Sequence, residues 1–137
     1  MFKDIHNQIE ARTCIPVTRQ TNSSTAIVSS IIDMLGYDVC EFVIATGALT
    51  DADATFAVTM DEGAVSNLSD AAAVATADKL GTLPALTFAS DNTVAKVGYK
   101  GSKRYVRLTV TPTSNDAGNC DISCVAILAG AAKMPTP

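Results

Sequence analysis

Residues 104–111 read Arg, Tyr, Val, Arg, Leu, Thr, Val, Thr, and this alternation is the tightest constraint in the chain. Val106, Leu108 and Val110 fall on one side of a two-residue period; Tyr105, Arg107, Thr109 and Thr111 fall on the other. A helix would scatter the three apolar residues around its axis. An extended strand gathers them on one face, and that face needs a second layer to cover it. The same period recurs at Phe56, Val58 and Met60, and again at Ile122, Cys124, Ala126 and Leu128. Residues 38–46 form a near-continuous apolar run closed by Gly47, which predicts a strand buried on both faces. Residues 93–99 read as another strand, with Gly98, Gly101 and Ser102 marking the turn after it.

The punctuation between these runs sets the expected boundaries. Asp61, Glu62 and Gly63 read as a turn, and Pro112 as a strand stop. Ser69 and Asp70 could cap a short helix or helical turn over residues 71–80, ended by Gly81. Residues 1–25 lack a periodic apolar pattern and carry Asn7, Gln8, Gln20, Asn22 and a Thr/Ser run. They predict an extended N-terminal arm, with one short strand near residues 15–18, ordered by a neighbour rather than by itself. The expected organisation is therefore an arm over 1–25, one domain over 26–130 and a tail over 131–137. The fold class is all-β: an antiparallel β-sandwich, jelly-roll or immunoglobulin-like, with at most one short helix. At 137 residues the chain is long enough to build one core without metal or disulfide.

Charge narrows the function. Fourteen acidic against ten basic residues give a net charge of −4, the reverse of what a nucleic-acid binder needs. A mean hydropathy of +0.23 with 18% charged residues argues for a folded chain. No apolar leader opens the sequence, and the longest apolar stretch is far shorter than the roughly 20 residues of a membrane span. The expectation is synthesis in a reducing cytoplasm, with no membrane partner. The charges are segregated: ten acidic residues and one basic lie between positions 33 and 91, while positions 93–107 hold Lys96, Lys100, Lys103, Arg104 and Arg107 and no acid. Tyr99 and Tyr105 are too few to turn this basic hairpin into a stacking platform. A subunit contact is the expected use, with the hairpin meeting the acidic side of a neighbour and fixing its register.

Chemistry is hard to find. His6 is the one histidine and falls in the expected arm, where it cannot act as a positioned base. Asp51 with Asp53, and Asp61 with Glu62, could suggest an acid/base pair or a cation site, but turn residues are the simpler account. The four cysteines, Cys14, Cys40, Cys120 and Cys124, match no zinc spacing. Cys120 and Cys124 lie about 13 Å apart on one strand face and cannot bridge each other. Buried, reduced thiols are expected for Cys40 and Cys124. Cys14, on the arm, is the candidate for a disulfide to a neighbouring subunit in an oxidising medium. No enzyme activity, cofactor or metal is expected.

Gly36, Tyr37 and Asp38 lead into the run 42–51, followed by 77–82, then Asp91 and Asn92, and a tail containing proline. With the segment Gly98, Tyr99, Gly101, Lys103, Arg104, Tyr105, Val106 and Arg107, these residues resemble small structural proteins that tailed bacteriophages and prophages encode beside the major capsid protein. The resemblance spans residues 36–137. It implies a virion component on the capsid exterior, of the decoration or cement kind, whose partners are the major capsid protein and copies of itself as a trimer or dimer. Contact candidates are Lys100, Lys103, Arg104, Tyr105 and Arg107. Two alternatives stand beside it: a head-to-tail connector or tail component forming a ring, and a virion-surface module that binds carbohydrate or a host.

Overall fold

The structure, a computed structural model, describes residues 3–136; Met1, Phe2 and Pro137, the outermost residues of the expected arm and tail, lie outside the described residues. Eleven strands follow one another: β1 (Ile9–Thr21), β2 (Ile27–Val28), β3 (Ile32–Asp33), β4 (Val39–Leu49), β5 (Thr55–Gly63), β6 (Ala72–Ala73), β7 (Lys79–Leu80), β8 (Ala85–Thr87), β9 (Val94–Tyr99), β10 (Tyr105–Thr113) and β11 (Asn119–Ala129). One sheet has the order β1, β11, β4, β9, β7. The other has the order β2, β10, β5, β6, with β3 also on β10 and β8 also on β5. All the pairings are antiparallel. The chain crosses between sheets from β1 to β2, β3 to β4, β4 to β5 and at every step from β6 to β11, and first and last strands pair. That is a jelly roll, one of the two sandwich forms expected.

The core is the pair of inner faces. Phe42, Ile44, Val97, Tyr99, Cys124, Ala126 and Leu128 come from the first sheet, and Phe56, Val58, Met60, Val106, Leu108 and Val110 from the second. The alternations at 56–60, 106–110 and 122–128 point inward as expected. In β4 Cys40, Phe42, Ile44, Thr46 and Leu49 are buried, while Val39, Glu41, Val43 and Ala45 are half-buried on an outer face. The near-continuous apolar run therefore does not mark a strand covered on both sides.

Four boundaries differ from expectation. Residues 9–21 are not an arm: they form a 13-residue strand on β11, with Cys14 and Ile15 fully inside the core. Register shifts between Thr13 and Ile15 and between Ile15 and Thr18 break the two-residue period that would have betrayed it. Asp61, Glu62 and Gly63 do not turn; they continue β5 opposite Arg107, Val106 and Tyr105. Pro112 does not stop β10, where it pairs with Phe56. The Leu108 carbonyl and amide face Ser29, so Pro112, of the same parity, points to that same edge beyond the end of β2, where no ladder donor is needed. Residues 71–80 hold two short strands and a three-residue 3-10 turn, Thr76–Asp78, so the expected helical turn is present, but it starts after Ala75 rather than at Ser69 and Asp70. The tail folds back: Thr136 is buried, and its hydroxyl donates to the Ile9 carbonyl at 2.7 Å.

Because Ile15 belongs to the core, Ile15→Ala should cost about 2–5 kcal/mol, read from the urea unfolding midpoint. An arm residue would lose less than roughly 0.5 kcal/mol, and that result would return residues 9–21 to an arm.

Candidate interaction surfaces

The expected contact residues gather at one end of the sandwich, where β9 turns into β10. Tyr99 is the post of this turn. Its ring is fully buried, and its hydroxyl donates to the Glu62 carboxylate across the sheets at 2.5 Å while accepting the Lys103 amide at 3.0 Å. Burial, and then the hydrogen bond to Glu62, push the phenol above its ordinary range. A Cβ at Gly101 would come within 2.6 Å of this ring, so glycine lets residues 100–103 wrap over it. Tyr99 cannot act as an exposed stacking platform. Lys100 and Lys103 project from the wrapped loop and form no salt bridge among the described residues.

The arginines do something different. Arg104 clasps Asp33 through two bonds of 2.8 and 2.9 Å, and Arg107 lies 3.6 Å from Asp61. Both pairs are internal, so Arg104 and Arg107 are not free cations awaiting a neighbour. Arg104 also lies over the half-buried Tyr105 ring, 5.0 Å from its centroid. The Arg104 clasp holds the Asp33 carboxyl below the usual carboxylate range.

Asp33 in turn positions a residue that the sequence reading passed over. Its Oδ1 accepts the Leu35 amide at 3.0 Å, and Tyr37 N–H closes the turn onto the Met34 carbonyl at 2.9 Å. Gly36 takes φ +87°, the left-handed conformation that makes glycine the fitting residue here. The Gly36 carbonyl accepts the Ala132 amide at 2.8 Å, and the Arg104 carbonyl accepts the Met34 amide at 2.7 Å. This fixed turn leaves Leu35 65% exposed. A shallow groove lies on each side of it, one edged by Lys103 and the other by Lys133. Asp33, Leu35 and Gly36 together were the available signal: an Asx residue, then an apolar residue, then glycine.

The opposite end is acidic. Asp51 accepts the Ala117 amide at 2.8 Å and ties two loops together, the structural role expected of a turn carboxylate. That bond lowers the Asp51 carboxyl, while its hydrogen bond to Asp51 raises Asp53. Asp61 and Glu62 do not join them; they lie on β5. Among the described residues no three His, Cys, Asp or Glu side chains converge as a metal site. His6 sits exposed in a 3-10 turn before β1.

All four cysteines are buried and unpaired. Cys14 is in the core rather than on an arm, so no neighbouring subunit can reach it while β1 is in place. Contact with Cys14, and then burial, hold the Cys124 thiol above the ordinary thiol range. Burial pushes Cys40 up to about 12 and Cys120 up to about 11.

A second surface is the outer face of the five-stranded sheet. Thr13, Val125, Val43 and Lys96 form one row across it. Ala11, Ile127, Glu41, Gly98 and Leu80 form the next row. Val94, 70% exposed, continues the row of Ser123 and Ala45. A groove between the β1 bulge and Gly47 adds Val17, which is 92% exposed.

No protein-family model matches the chain, and no curated protein sequence is similar to it. Solved structures do resemble it in fold. The PBSX exported protein XepA superimposes with a TM-score of 0.55 at 13% identity over 93% of this chain. This chain spans only 39% of the length of that protein. A protein of the disulfide-linked pili of Bacillus endospore appendages gives 0.46 at 14% identity, covering 94% of this chain and 96% of its own. The CBM22-1 xylan-binding domain of Paenibacillus barcinonensis Xyn10C gives 0.48 at 11% identity, covering 95% and 91%. At these identities the likeness is one of fold.

The thiol arrangement gives a direct check. Alkylation of the native protein at neutral pH should leave all four cysteines unmodified by intact mass, and unfolding in urea should label all four. Rapid labelling of Cys14 in the native protein would show that β1 is detached.

Proposed function

We propose that this chain is a structural protein of a tailed-bacteriophage virion that seats on the outside of the capsid, binding the major capsid protein and neighbouring copies, and performs no reaction. The observation that carries the reading is Leu35. A large apolar side chain in water is ordinary when it stands on a mobile loop. Here the turn beneath it is fixed by Asp33, Arg104, Gly36 and the returning tail, with Lys103 and Lys133 lining the grooves beside it and Lys100 on the same loop as Lys103. An apolar anchor among free cations is the layout of a protein contact: the anchor supplies burial, and the charges steer approach and set orientation. The partner surface it suits is an apolar socket with a carboxylate rim.

Repetition over a shell makes modest contacts sufficient. Each seated copy adds its own buried area, and contacts to a neighbour raise the effective concentration of the next. The sequence resemblance over residues 36–137 points the same way. In this account Arg104 acts as a strut that holds Leu35 out, while Lys100 and Lys103 face the partner. A connector ring could use the same anchor; the stoichiometry of the protein in purified particles separates one ring from a whole shell.

Particles lacking the protein, titrated with the purified chain, test this. Leu35→Asp should weaken binding about ten-fold or more, and Lys100→Glu with Lys103→Glu should slow association and alter its salt dependence, while both variants keep the wild-type melting temperature. Wild-type binding by Leu35→Asp would remove Leu35 as the anchor and with it this reading.

A further inference from the structure

The two outer faces of the sandwich are unlike each other. On the six-stranded sheet the outward positions are mostly polar, Thr55, Thr59, Thr109, Thr111 and the paired Asp61 and Arg107, with Ala57, Ala85 and Val28 the apolar members. Such a face suits water. On the five-stranded sheet the outward positions include Ala11, Val43, Ala45, Val125, Ile127 and Val94, with Leu80 at the far edge; Thr13, Ser123, Glu41 and Lys96 are the polar ones among them. Among the described residues ten large apolar side chains are exposed, and three of them, Leu80, Val94 and Val125, stand on this one face, with Val17 at its margin. An apolar sheet face of this kind is normally covered by another layer.

The charges on the face indicate what covers it. Glu41 and Lys96 stand as diagonal neighbours on β4 and β9, Glu41 opposite Gly98 and Lys96 opposite Val43. Neither forms an ion pair among the described residues. Each therefore enters the apolar patch carrying an uncompensated charge of opposite sign to the other. A second copy turned about a two-fold axis that lies in the interface and passes between them would set Lys96 of each copy against Glu41 of its mate. The contact is self-complementary, as an isologous interface requires.

We propose that this chain forms a homodimer by packing the outer face of its five-stranded sheet against the same face of a second copy, with two symmetry-related Lys96–Glu41 pairs setting the register. Strand and residue spacings of about 4.8 and 3.3 Å over five strands and six or seven residues give a face of roughly 500 Å² per copy. Doubled, that lies just below the ~1,200–2,000 Å² of stable complexes, so the dimer is reversible at micromolar concentrations. The contact goes beyond the capsid reading above and uses none of its residues; the Leu35 end stays free in the dimer.

Sedimentation velocity on the full chain across a concentration series tests it. Wild type should show a concentration-dependent monomer–dimer equilibrium. Glu41→Lys alone and Lys96→Glu alone should each raise the dissociation constant by about ten-fold or more, because each sets like charges together. Mixing the two variants should restore dimers, since every contact then pairs lysine with glutamate, and Val43→Asp should be monomeric with an unchanged circular-dichroism spectrum. Leu35→Asp should dimerise as wild type does, which separates failure of this contact from failure of the capsid contact. A wild type that stays monomeric to millimolar concentration, or single variants that associate like wild type, or a mixture that gains nothing, would overturn the dimer.

Discussion

The pairing of β1 with β11 is the interaction on which the rest depends. It joins the first strand to the last and brings Cys14 and Ile15 into the core. It also delivers the side chains that brace the Leu35 turn from below. Arg12 donates to the Asp33 carbonyl at 2.8 Å and lies 5.6 Å from the centroid of the Tyr37 ring. Glu10 accepts both Arg12, at 2.6 Å, and the Tyr37 hydroxyl. Without β1, Asp33 keeps Arg104 but loses Arg12, and Tyr37 loses its partners. Fold closure and presentation of Leu35 are thus one event.

The same logic explains the segregation of charge along the chain. β10 lies between β3 and β5, so Arg107 in it and Arg104 just before it meet the acids of strands laid down far earlier: Asp33 with Arg104, and Asp61 with Arg107. Acidic and basic stretches separated in sequence become interleaved in the sheet. The lysines of the same stretch fall outside this ladder, on the turn over Tyr99 or on the opposite sheet. Exposed ion pairs of this kind contribute little to stability, typically below about 1 kcal/mol, and act instead by fixing geometry.

Much of the sandwich was legible in the sequence because inner faces keep a strict two-residue period: 56–60, 106–110 and 122–128 point inward as the alternation dictates. What was illegible follows from departures that only pairing makes intelligible. β1 hides behind its register shifts and Pro16, so its period fails where its burial is greatest. Asp61, Glu62 and Gly63 look like a turn because nothing nearby in sequence shows that Arg107 waits opposite. The site was half visible. Lys100 and Lys103 stand where the basic hairpin predicts them, whereas Arg104 and Arg107 are consumed internally and Leu35 drew no notice. Leu35 was missed because a single exposed leucine has no pattern; its meaning comes from the rigidity of the turn under it.

The central claim is that the lysine-bearing end of the jelly roll faces the capsid. Cross-linking of intact particles with a short amine-reactive reagent, read by peptide mass spectrometry, tests it most directly. The account predicts links from Lys100, Lys103 and Lys133 to the major capsid protein. Links from these lysines to tail proteins alone, or a labelling pattern on the particle identical to that of the free chain, would contradict it.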